Sequence, residues 1–113
     1  MAYKFRLVSA ATTNATFIGA AVGETPRKVV GLHICNAAAS PRTVKFYDKA
    51  SAPTPGTDPV FWTFQVPALN LFRDMNIDLR FFAGIAFATT LEIQDGTNTA
   101  VAANDLVVQI LFE

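Results

Sequence analysis

Cysteine and histidine each occur once in this chain, as Cys35 and His33, and their scarcity excludes much chemistry. One thiol closes no internal disulfide, so stability has to come from packing and assembly. Nucleophilic catalysis needs a nucleophile, a base and an orienting group in register, and only one imidazole is on offer. His33 and Cys35 lie two apart on a predicted strand and face the same way, a geometry too constrained for a catalytic dyad. A structural zinc site takes four ligands and a catalytic one at least three, so His-x-Cys supplies too few. Within the apolar run VVGLHICN the pair is expected as a hydrogen-bonded core histidine and a small core thiol. The nucleophile elbow G-x-S-x-G and the phosphate cradles G-x-x-x-x-G-K-[ST] and G-x-G-x-x-G are absent as well. Asp74 with Asp78, and Asp95 with Asn98 and Asp105, have spacings that specify neither a glycosidase pair nor a calcium loop. The expectation is a protein that is not an enzyme and uses no cofactor or metal.

Charge is also sparse. Nine Lys and Arg balance nine Asp and Glu, charged residues are 16% of the chain, and the pI is near 6.6. Such a chain carries no basic footprint for a phosphate backbone, so nucleic acid is not an expected partner. Long hydrophobic runs are missing too. The longest, FFAGIAFA from Phe81 to Ala88, falls well short of the ~20 residues of a spanning helix, so it reads as a buried strand and no membrane is expected. After Lys4 and Arg6 the apolar stretch is broken by Ser9, Thr12, Thr13 and Asn14. No secretory core forms there, and synthesis in the cytoplasm is expected.

What the chain has in surplus is apolar surface: 51% hydrophobic residues, ten of them Phe, and a mean hydropathy of +0.31. Its length suits a single domain. No stretch shows helical spacing, whereas short runs of period two recur. Strands are predicted over Tyr3–Val8, Thr16–Ala21, Lys28–Asn36, Thr43–Asp48, Val60–Val66, Ile77–Phe82, Ile85–Thr89 and Leu106–Phe112. Between them fall Gly23 and Pro26, Ala37 to Pro41, Lys49 to Pro59, Pro67 to Asn76, and Gln94 to Asp105. About eight short, evenly spaced strands imply an all-β, single-domain antiparallel β-sandwich, with a jelly roll preferred over an immunoglobulin-like order.

The segment KFYDKASAPTPGTDPVFWTF, Lys45 to Phe64, sets aromatic strands on either side of a proline-stiffened loop. Pro53, Pro55 and Pro59 reduce the entropy the loop loses on ordering, which suits a contact arm. Along VFWTFQV, alternation puts Val60, Trp62, Phe64 and Val66 on one face, with Trp62 as a core anchor, and Phe61 on the other. Phe61 then needs cover, and so do side chains at Phe81–Phe82 and Leu111–Phe112. Two readings stay open. Either these aromatics, Phe61 and Phe82 foremost, form a subunit interface, or the chain's own loops cap them, with Leu69, Leu71 and Phe72 as candidates. If the loop only makes contacts, deleting residues 51 to 57 should leave the fold intact.

Four segments together, LHICN (Leu32 to Asn36), VKFYDKASAPTPGTDPV (Val44 to Val60), GIAFATT (Gly84 to Thr90) and TAVAANDLVV (Thr99 to Val108), resemble a family of small virion proteins of tailed bacteriophages and prophages. The resemblance runs from about residue 30 to the C-terminus. It implies a structural part of a phage particle, foremost a decoration (cement) protein that clamps the major capsid protein from outside, often as a homotrimer, and so a location on the capsid surface of the virion. A neck, tail or tail-fibre component is the nearest alternative. A carbohydrate-binding module with exposed aromatics is the alternative from another class.

Overall fold

The computed structural model describes residues 2–113, and among them no helix forms. Nine strands do: β1 Tyr3–Val8, β2 Thr16–Ala20, β3 Arg27–Asn36, β4 Arg42–Asp48, β5 Trp62–Val66, β6 Asn70–Asp74, β7 Leu79–Phe81, β8 Gly84–Thr90 and β9 Leu106–Phe112. They pair antiparallel throughout, in a sheet of order β1-β9-β3-β6 with β7 also on β3, and a second sheet of order β2-β8-β4-β5.

This order is a jelly roll. β6 covers Leu32–Asn36 of β3, while β7 continues along the same edge over Arg27–Val29, so the two act as one strand interrupted at Met75–Asp78. The Ile77 amide still donates to the Val30 carbonyl at 3.2 Å across that interruption. With β6 and β7 merged, the pairs nest: β1 with β9, β2 with β8, β3 with β6/β7, and β4 with β5. Nested hairpins folded over into two sheets are the double Greek key of jelly rolls.

Between the sheets lies the core. Alternation sends Leu32 and Ile34 of β3, Val44 and Phe46 of β4, Ile85 and Phe87 of β8, and Leu106, Val108 and Ile110 of β9 inward, where all are buried. Phe46 is the hub: its ring centroid lies 5.8 Å from those of Phe64 and Phe81 and 6.0 Å from that of Phe87. Side chains of this size contribute about 1.5–3 kcal/mol each when fully buried.

The sheets differ on their outer faces. Every residue of β8 is buried, which accounts for its apolar start GIAFA, because loops cover the second face of its sheet; the two threonines that end it are buried with hydrogen bonds to the Thr13 and Glu92 carbonyls. Tyr47, Ala86, Ala88 and Val60 form a small outer cluster there. The loops over residues 49–60 and 91–100 meet above it, where a Cβ on Gly56 would stand 3.4 Å from the Asn98 Cβ. Among the described residues, none covers the outer face of the β1-β9-β3-β6 sheet in this way.

Three local expectations are corrected. Residues 67–76, expected as a loop, contain β6. The expected strand from Ile77 shortens to Leu79–Phe81, because its first residues form the interruption of the edge strand. His33 and Cys35 are half-buried on the outer face instead of in the core, since the inward positions of β3 belong to Leu32 and Ile34.

Candidate functional site

Asp48, the last residue of β4, organises the aromatic edge. Its carboxylate accepts from the backbone amides of Phe82 (3.1 Å), Ala83 (2.7 Å) and Gly84 (3.2 Å), which closes the turn between β7 and β8. That turn sends Phe81 into the core and leaves Phe82 68% exposed. Opposite, the Phe61 amide donates to the Phe46 carbonyl at 2.8 Å, and the Phe61 ring packs on Phe81 at 4.9 Å while remaining 39% exposed. Trp62 is 53% exposed, against the expectation of a core anchor. The space beneath this end of β4 is filled by Phe61 and Phe81, and β5 is the outermost strand of its sheet, so the indole stays at the rim.

The loop leading to this edge is rigid for reasons visible in its residues. The Asp58 carboxylate accepts from the Lys49 ammonium and from the Thr54 amide, both at 2.7 Å, closing the loop on itself. Those two donors hold the Asp58 carboxyl below the usual carboxylate range. Pro53 and Pro55 are buried against the chain's own body, whereas Pro59 is exposed along with Ser51, Ala52, Thr54 and Thr57. The loop is therefore both a lid over Tyr47 and a presented surface.

That lid corrects two further expectations. The capping of apolar faces is done by the loops over 49–60 and 91–100, not by Leu69 and Leu71, which are exposed at the β6 edge; Phe72 does turn inward, its ring 5.1 Å from Phe64. Deleting residues 51 to 57 would also remove buried Pro53 and Pro55 and uncover Tyr47, so the fold depends on the loop.

Under the lid, Tyr47 is buried with a hydroxyl that has no hydrogen-bond partner among the described residues, and the Thr43 hydroxyl has none either. Burial pushes the Tyr47 phenol up to about 12, with Asp58 and Asp95 adding to the rise. Beside them the Lys45 ammonium is shifted down by burial, against the opposing pull of Glu92 and Asp95.

The His33 Nε2 and Cys35 Sγ are 3.5 Å apart with no third group, and among the described residues no cluster of three or more His, Cys, Asp or Glu is placed to hold a metal. Beside the loop closed by Asp58 stand three exposed aromatic side chains, Phe61, Trp62 and Phe82. Alternation misassigned this segment: Phe61, expected on the face opposite Phe64, packs on core Phe81, Val60 joins the outer cluster instead, and Trp62 is exposed.

No protein-family model matches the chain, and no curated protein does. Among solved structures it is similar to the Tobacco streak virus coat protein, with 13% identity, a TM-score of 0.43, and coverage of 99% of this chain and 85% of that one. A second structure of that coat protein, as a dimer, gives 11%, 0.40, 99% and 84% for the same quantities. PirA is similar at 12% identity and a TM-score of 0.40, over 97% of this chain and 92% of that one. Likenesses this slight bear on no function, which has to be argued from the residues themselves.

Proposed function

We propose that the chain is a structural protein of a tailed-phage virion, a decoration protein that binds the major capsid protein on the outside of the head and works as a homo-oligomer, a trimer by preference. The observation that carries this reading is the exposed rim of Phe61, Trp62 and Phe82 beside a loop stiffened by Asp58, a surface built for protein contact. The resemblance of LHICN, VKFYDKASAPTPGTDPV, GIAFATT and TAVAANDLVV to small virion proteins supplies the kind of partner. Pro53 and Pro55 shape the loop from within, while Pro59, Phe61 and Phe82 are offered to the neighbour.

In this reading the mechanism is linkage. A protein that binds only the expanded lattice lowers that state's free energy by RT ln(1 + [L]/Kd) at each site it fills. An oligomer that grips several capsid subunits at once adds avidity without further contacts. The test is co-sedimentation of the purified protein with expanded, tail-less heads that lack it, titrated to saturation. Lattice-wide occupancy is expected; saturation at a handful of copies would move the protein to the neck or tail, and no binding would sink the reading.

A glycan-binding module is the second reading, favoured by one observation: Trp62 presents its indole at the surface, where it could stack on a sugar ring. A shift of tryptophan fluorescence on titration with host cell-wall glycan, together with no attachment to heads, would select it.

A further inference from the structure

The uncovered outer face of the β1-β9-β3-β6 sheet is ordered in rows by its strand registers. Arg6, Gln109, His33 and Arg73 are successive partners across the four strands, so their side chains stand in one line of hydrogen-bonding groups. Lys4, Leu111 and Gly31 form the next row, two residues along, with Met75 against Gly31. Val8, Val107, Cys35 and Leu71 form the row on the other side. A cationic row is thus flanked by largely apolar ones at a spacing of about 6.6 Å, two residues of strand rise.

A groove of about 510 Å³ lies over this face, lined by Arg6, His33 and Arg73 and by Gly31, Met75 and Leu111 among others. Gly31 keeps the floor open, since a Cβ there would come within 2.8 Å of Met75 Cε and 3.2 Å of Leu111 Cβ. Among the described residues no carboxylate lines the groove. Elsewhere Arg42–Asp105, Lys49–Asp58 and Arg80–Asp78 are ion pairs, Arg27 and Lys45 donate to backbone carbonyls, and Lys28 has no ion pair among the described residues. Lys4, Arg6 and Arg73 make no ion pair among the described residues, and all three line this groove.

A neutral chain that gathers unpaired cations in one groove leaves unpaired carboxylates elsewhere, and their placement indicates the occupant. Asp48 accepts from the Phe82, Ala83 and Gly84 amides, Asp74 from the Asn76 amide and Glu92 from Thr99, while Asp95 lies near the buried Lys45 and Glu113 is tied by its backbone to Lys28 at the end of β9. Glu24 stands apart. It sits at the tip of the two-residue turn between β2 and β3, closed by Val22 N to Thr25 O at 3.2 Å and Thr25 N to Val22 O at 2.9 Å. Val22, two residues before it, is 69% exposed. The turn is preformed, so docking it orders little further backbone. Its acid and its apolar residue match the cationic row and its apolar neighbour.

We propose that the groove receives the Val22–Thr25 turn of a second copy, with the Glu24 carboxylate meeting Arg6, His33 and Arg73 and Val22 settling on Leu111 and Met75. Groove and turn are different surfaces of one subunit, so the contact is head-to-tail and closes into a ring when its rotation allows, as a trimer requires. The inference rests on the oligomeric part of the proposed function and supplies its contact.

Sedimentation velocity on the full chain, at low and at high NaCl, tests it. The wild type is expected to be oligomeric at low salt and to dissociate as NaCl approaches about 1 M, where the Debye length falls to about 3 Å and exposed contact pairs are weakened. Glu24→Arg alone, and Arg6→Glu with Arg73→Glu, are each expected to give folded monomers, with unchanged circular dichroism as the check on folding. Glu24→Arg combined in one chain with Arg6→Glu and Arg73→Glu should restore the oligomer, since each reversed turn then finds a reversed groove on the next copy. A monomeric wild type, or an oligomer indifferent to both variants, would overturn the proposal. So would a monomeric wild type that binds a poly-glutamate peptide through Arg6 and Arg73, which would give the groove to an acidic segment of another protein. A wild type that decorates heads while monomeric sinks the groove contact alone; a restored oligomer that ignores heads sinks the decoration reading alone.

Discussion

Lys45 and Thr97 are joined across the outer face of the β2-β8-β4-β5 sheet, the fully buried ammonium donating to the Thr97 hydroxyl at 2.9 Å and to its carbonyl at 3.1 Å. A third bond, to the Gln94 carbonyl at 2.5 Å, completes the three donors of the ammonium. A charged side chain thus fastens the loop over 91–100 to a strand whose outward face would otherwise be bare.

Lys45→Met keeps most of the side-chain volume and removes all three bonds. Hydrogen bonds to charged groups contribute about 1.5–3 kcal/mol each, but solvent can reach the freed loop carbonyls, so the expected loss of unfolding free energy is roughly 1–3 kcal/mol. Urea unfolding measures it. Amides of residues 92–99 should lose hydrogen-exchange protection in the same variant, while those of β3 and β9 keep theirs.

Tyr47 invites the opposite result. Its hydroxyl is buried without a partner, so Tyr47→Phe removes an unsatisfied group and keeps the ring that the lid covers. A change of about 0 to +1 kcal/mol in unfolding free energy is expected, where most buried substitutions destabilise. The pH dependence has a definite sign. With the folded phenol raised to about 12, the unfolded chain releases its proton first, near pH ~10. The stability linked to Tyr47 is therefore fully present below pH ~10 and is lost as pH rises towards the folded value. Absorbance of the phenolate should show Tyr47 ionising well above pH ~10, and Tyr47→Phe should flatten the alkaline loss of stability.

Leu69 carries its backbone at φ +52°, in the left-handed region, with its side chain 74% exposed. A β-carbon in that region costs about 1 kcal/mol, and an exposed leucine has little packing to offset it. Leu69→Gly is expected to raise the thermal midpoint or leave it unchanged, despite glycine's greater freedom in the unfolded chain, and Leu69→Asn to raise it by about 0.5–1 kcal/mol equivalent. A clear loss in both would show that the leucine side chain holds the turn between β5 and β6.

Much of this architecture is legible in the amino-acid order because period two and turn residues are local signals. Strand positions such as Leu106–Phe112 and the buried run in β8 follow from them. Nesting into a jelly roll is long-range, and only the registers show it. β6 was hidden because Pro67, Asn70, Asp74 and Asn76 read as turn formers, and because an edge strand leaves Leu71 and Arg73 exposed, blurring the alternation. Trp62 was misplaced for a related reason: alternation assigns a side of the sheet, not whether anything lies beneath it. The row of Arg6, His33 and Arg73 draws on three strands far apart in sequence, and no local pattern could gather it.

The contact rim and the loop need separating, since the loop also serves the fold. Phe82→Ser and Trp62→Ser remove exposed apolar surface and should change unfolding free energy by less than about 0.5 kcal/mol. Phe61→Ser should cost more, because its ring lies 4.9 Å from that of Phe81. Ser51→Lys and Thr57→Lys alter only the exposed side of the loop and leave the Asp58 bonds to Lys49 and Thr54 in place. If the rim and loop face the capsid, all four mild variants should fold as the wild type does, and their affinity for expanded heads should fall severalfold in co-sedimentation. Rim variants that weaken binding while loop variants do not would confine the contact to the aromatic residues. Full binding by all four would return this edge to ordinary surface, leaving the loop only its task of covering Tyr47.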